Sequence, residues 1–159
     1  MPQALVGTGG FLAAALWMDL MFDFQVLGHA GELPAPVLAA IVTHYHHVTE
    51  AAAPMGNVTS LVMLLTVFGA VLQLSRPAIP LWIRGTVLVL ALAITLITLV
   101  GVVPAVQRLV SADSPELQSE LARRILTGHL LGLGCVAAYL GLQITAAQRI
   151  GRRSEPAPA

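Results

Sequence analysis

Apolar residues run along the chain in four blocks long enough to cross a bilayer, whose hydrocarbon core of about 30 Å needs about 20 helical residues. The blocks cover about residues 4–27, 55–74, 85–103 and 125–147. Backbone groups in lipid must be satisfied within the segment, so the blocks predict helices. Between the first two blocks, Val37 to Ala53 carries polar residues on one side and predicts a short amphipathic helix. Ser114 followed by Pro115 is a helix-start signature and opens an amphipathic stretch leading into the fourth block. The pattern predicts an all-α fold: a four-transmembrane-helix bundle with a short amphipathic helix in the link between spans 1 and 2. Residues 1–153 form a single membrane domain in this reading, and the Pro/Ala-rich residues 154–159 a disordered tail. The first block lacks a basic start and is long for a signal peptide, so it is read as a retained helix.

Composition sharpens the class. Of 159 residues, 57% are hydrophobic and 10% charged, against about 25% charged in soluble domains. Eight basic residues, all arginine, balance eight acidic ones, so no basic stripe exists to bind nucleic acid. One cysteine, Cys135, excludes an internal disulfide. Arg76, Arg84, Arg149, Arg152 and Arg153 fall on the terminus side of the predicted topology, and Arg108, Arg123 and Arg124 on the other. This bias predicts cytoplasmic termini for a multi-pass protein of the plasma or inner membrane.

The ionisable residues gather at one end. Asp19 and Asp23 are four apart on the first helix and share a face, about 22 and 28 Å along the span from Ala4. Asp19 is the deeper and is expected to matter more. His44, His47 and Glu50 form one stripe on the amphipathic helix, and His46 pairs with Glu50 at i, i+4. The topology brings His29 and His129 to the same layer. Ionisable residues within membrane helices default to a functional reading. Asp19, Asp23 and His129 are therefore candidate catalytic groups, and Asp19, His44, His47, Glu50 and His129 candidate ligands for Fe, Cu or Zn. A bis-histidine haem is a minor variant. The competing reading is a solvated polar face, with the aspartates ending the span at the headgroups. Gly128–Gly132 is a GxxxG stretch continued by Gly134, Ala138 and Gly141, suited to close helix packing, including between copies of the chain. Trp17, Trp82 and Tyr45 are expected as interface anchors.

Trp17-Met-Asp-Leu-Met-Phe-Asp23, His44-Tyr-His-His-Val-Thr-Glu50, Pro54-Met-Gly-Asn57 and Arg124-Ile-Leu-Thr-Gly-His129 follow one another in a characteristic order. In this order the chain resembles the anthrone-oxygenase-like family of small four-helix membrane proteins. The resemblance implies oxidation of aromatic polyketides by molecular oxygen. The resulting expectation is a membrane oxidoreductase acting on a small lipophilic substrate. The alternative is a non-enzymatic metal-handling, transport or structural partner protein.

Overall fold

The first apolar block forms α1, Pro2–Asp23, which tightens into one 3-10 turn, Phe24–Val26. Gly28 and Gly31, at φ 85° and 75°, then turn the chain in a conformation open to glycine at little cost. The computed structural model describes residues 2–50 and 53–153, and every regular element among them is helical. α2, Ala35–Thr49, starts behind Pro34. It buries Leu38, Ile41 and Tyr45 at helical spacing and leaves Thr43, His46 and His47 outside. α3, Ala53–Leu74, turns at residues 75–80 into α4, Leu81–Leu96.

α4 continues through a π-helical stretch, Ile97–Val102, into α5, Val103–Ser111. Pro104 has no N–H to give back to the preceding turn, and the wider π turn absorbs that break without ending the span. α6, Pro115–Arg153, is 39 residues long, about 58 Å, almost twice a hydrocarbon core. Its first turn is capped by Ser114, whose Oγ accepts the Leu117 amide at 3.4 Å.

Four segments are long and apolar enough to span a membrane: Gln3–Val26, Pro54–Leu74, Leu81–Ser111 and Pro115–Gly151. The protein is thus an integral, multi-pass, all-α bundle with an amphipathic helix between spans 1 and 2, as the hydropathy pattern predicts. The expected tail at 154–159 lies outside the described residues.

α6 packs against α1, α4, α5 and the π stretch. Its core is layered. Leu20, Ile41, Tyr45, Leu109 and Ile125 close the end that carries α2. Leu12, Met63, Ile94 and Val136 fill the middle. Leu5, Ile83, Val87, Tyr139 and Ala146 fill the far end. Outward faces stay apolar, with Leu64, Leu81 and Val100 each well exposed, which suits contact with lipid. The glycine stripe divides. A Cβ on Gly128 would stand 2.6 Å from Val102 Cγ2, and one on Gly132 3.6 Å from Leu16, whereas Gly134 and Gly141 meet nothing within 4 Å. The Gly128–Gly132 pair therefore serves packing within the chain.

Candidate functional site

The end carrying α2 holds a chain of polar contacts between three helices. Asp23 closes α1 with its carboxylate sealed from solvent. The Tyr45 hydroxyl, from α2, donates to its Oδ1 at 2.7 Å. His129, from α6, lies with Nδ1 2.6 Å from its Oδ2. One turn deeper, His44 Nε2 lies 3.2 Å from Asp19 Oδ1. His129 Nε2 stands 4.0 Å from Asp19 Oδ2, beyond hydrogen-bond range. Phe22 stacks on the His44 ring at 3.9 Å and 13°.

Local sequence explains the convergence. Asp19 and Asp23 share a face because they are four apart on α1. The stripe of Leu38, Ile41 and Tyr45 turns α2 inward, which carries His44 to its edge and Tyr45 to its centre. Gly128 lets α6 approach Val102 closely, and His129 follows it into the interior. Arg123, six residues before His129, donates from Nη2 to the carbonyls of His29 (3.1 Å) and Gly31. Ser119 Oγ accepts the Leu33 amide at 2.9 Å. α6 thereby fastens the loop that leads into α2.

The structure brings together Asp19, Asp23, His44 and His129 but leaves out His47 and Glu50. Both are exposed, and Glu50 pairs instead with exposed His46 at 3.2 Å. The single stripe expected on α2 is thus divided: His47 and Glu50 lie nearly opposite the buried face, while His44 lies at its margin. The side chain of His29 is exposed as well. Burial runs opposite to depth along α1: the Asp19 side chain is 29% exposed and that of Asp23 1%, because Tyr45 and His129 close over the later turn.

Tyr45, expected as an interface anchor, is buried at 2% exposure. Burial first, and the Asp23 carboxylate second, push its phenol well above the ordinary value. The signal was its spacing from Leu38 and Ile41. Sequence reasoning also passed over Gln73 and Gln143, both buried, which pair reciprocally at 3.4 and 2.9 Å between α3 and α6. Their signal was a glutamine amide within each apolar block. Among the described residues, no three His, Cys, Asp or Glu side chains are grouped so as to hold a metal ion.

A model of the SHR3 chaperone family, described as ER membrane protein SH3, matches residues 2–148. The chain belongs to that family. No curated protein and no solved structure matches it. The family match corrects the anthrone-oxygenase-like resemblance and the oxidoreductase function drawn from it. The polar residues that carried the resemblance gather at one end of the bundle, which marks an architecture more than a chemistry. Asp23 illustrates the difference: both its oxygens are already engaged by groups of the protein itself.

Proposed function

We propose that this chain is a membrane-resident chaperone, a non-enzymatic partner of other membrane proteins. The observation that carries this reading is the SHR3 chaperone match, which runs through all four spans and the helix between the first two. The geometry is consistent with it. Asp23, Tyr45 and His129 satisfy one another inside the fold, as a fastening does. Large apolar side chains, including Leu61, Leu64 and Phe68 of α3, face outward along the spans, where another membrane helix can replace lipid.

In this reading the chain resides in the ER membrane named for the family, in place of the plasma or inner membrane expected from its sequence. The arginine bias supports termini on the cytoplasmic side. Engineered cysteines at Glu32 and Asp113 would then face away from the cytoplasm, and one at Ser75 toward it. The functional test is removal of the chain from its cell. Multi-spanning membrane proteins are expected to shift into a detergent-insoluble fraction while soluble proteins do not. An unchanged partition of membrane proteins would overturn the chaperone reading.

A further inference from the structure

Charge is divided unevenly between the two ends of the bundle. The end carrying α2 holds seven of the eight acidic residues, together with Arg108, Arg123 and Arg124. The opposite end holds Arg76, Arg84, Arg149, Arg152 and Arg153, and no acidic residue among the described ones. Among the described residues no arginine is paired with a carboxylate. The arginines of the opposite end are thus open to a partner that these residues do not supply.

Arg84 is held in place with its binding edge open. It stands in the first turn of α4 and reaches back to the end of α3, where Nη1 donates to the Leu74 carbonyl. That is the guanidinium's one hydrogen bond among the described residues, and Nε is buried without a partner. Nε–H and Nη2–H together form an edge that grips an oxyanion through two parallel bonds. A buried N–H left unpaired is costly. The corner around Arg84 is stiff. The Arg76 amide donates to the Gln73 carbonyl and the Ile79 amide to the Arg76 carbonyl, while Pro77 and Pro80 fix their own φ. Ile79 and Ile83, both buried, pack with Ala146 and Ile150 of α6. This contact brings exposed Arg149 to the same rim as exposed Arg76.

The depth of the corner indicates which oxyanion fits. Arg84 lies at the start of the span Leu81–Ser111, the level at which a bilayer presents its phosphates. Leu81, three residues before Arg84 and on the same face, is 70% exposed and offers apolar surface to an acyl chain. We propose that the α3–α4 corner binds an anionic phospholipid, with its phosphate on the Nε–Nη2 edge of Arg84 and an acyl chain along Leu81. Arg76 and Arg149 on the rim favour a headgroup with net negative charge over a zwitterionic one, whose ammonium they repel. This inference stands independently of the chaperone reading.

The test uses the full chain in phosphatidylcholine vesicles, with tryptophan fluorescence quenched by lipids brominated on their acyl chains. The chain has two tryptophans. Trp17→Phe and Trp82→Phe combined with Leu81→Trp place a single reporter beside Arg84. A second form, Trp82→Phe alone, keeps Trp17 as a reporter at the other end. Brominated phosphatidylglycerol is expected to reach the reporter beside Arg84 roughly fivefold more favourably than brominated phosphatidylcholine. At Trp17 the two lipids should quench alike. This contrast alters no arginine, so it stands whether or not any Arg84 variant folds. Arg84→Lys keeps the charge but loses the two-bond edge, and should remove most of the preference. Arg76→Gln loses a charge but keeps that edge, and should leave most of it. Equal quenching by both lipids beside Arg84, the same preference at Trp17, or a full preference in Arg84→Lys overturns the proposal. So does a preference that disappears when inorganic phosphate is added at matched ionic strength, since that assigns the edge to free phosphate.

Discussion

Replacing Asp23 with alanine removes the acceptor on which α1, α2 and α6 converge. Two hydrogen bonds disappear, at 2.7 Å from Tyr45 and 2.6 Å from His129. Hydrogen bonds to a charged group contribute about 1.5–3 kcal/mol each. The substitution also leaves a buried hydroxyl and a buried imidazole nitrogen without a partner. Interhelical polar contacts measured in membranes lie lower, near 0.6–1.7 kcal/mol. The expected loss is therefore about 3–5 kcal/mol, the range seen when one member of a buried pair is removed. Tyr45→Phe takes away one donor and should cost about 1–2 kcal/mol. Glu50→Ala breaks only the exposed His46 pair and should cost under about 1 kcal/mol. Cys135, the one thiol in the chain, provides the assay. Its alkylation rate in detergent, followed as SDS is raised, reports unfolding of α6. The midpoints should fall in the order Glu50→Ala, Tyr45→Phe, Asp23→Ala. An Asp23→Ala midpoint equivalent to within about 0.5 kcal/mol of the unaltered protein would refute the reasoning.

The same assay tests the packing of α6. Gly128→Ala forces a Cβ against the stiff Val102 side chain and should cost about 1–3 kcal/mol, whereas Gly134→Ala, which meets nothing within 4 Å, should be neutral or slightly stabilising. Gln143→Leu alone strands the Gln73 amide and should cost about 1–3 kcal/mol, while the double change with Gln73→Leu should recover most of it. Tyr45 yields a pH prediction with a definite sign. Its folded pKa is raised, so above the ordinary tyrosine pKa of about 10 the folded state binds more protons than the unfolded one. Its stabilising contribution is complete below that value and is lost as pH rises above it. Tyr45→Phe should flatten the alkaline decline measured by thermal unfolding. Arg123→Gln releases the carbonyls of His29 and Gly31 and should speed amide exchange in residues 27–34, leaving α3 and α4 unchanged.

The membrane architecture was legible in the sequence because a bilayer imposes a length and a composition that few other environments demand. The amphipathic α2 was legible for a similar reason, since Leu38, Ile41 and Tyr45 repeat at helical spacing. Facing was harder to read. Spacing places His44, His47 and Glu50 on one stripe, yet only contact with α1 and α6 decides which edge of that stripe enters the core. Tyr45 was read by residue type, as an interface anchor, when its position within the apolar repeat already placed it inside. Asp19 and Asp23 were ranked by depth along α1, but burial depends on the neighbours at each turn, and Tyr45 and His129 meet at the later turn. The π stretch follows from Pro104 within a long apolar run, a local conflict that a hydropathy count averages away. Function was the least legible part. Polar residues at helix ends can act on a substrate or hold a fold together, and identity and spacing are the same in both cases.

The central claim is that this bundle protects other membrane proteins, and reconstitution tests it most directly. A multi-spanning client is synthesised without cells into vesicles that hold increasing amounts of the purified chain, or an equal mass of an unrelated four-span protein. The sedimentable, aggregated fraction of the client is measured. The account predicts a fraction that falls in proportion to the chain and is unaffected by the unrelated protein. A fraction that stays constant, or that falls equally with both, would contradict it.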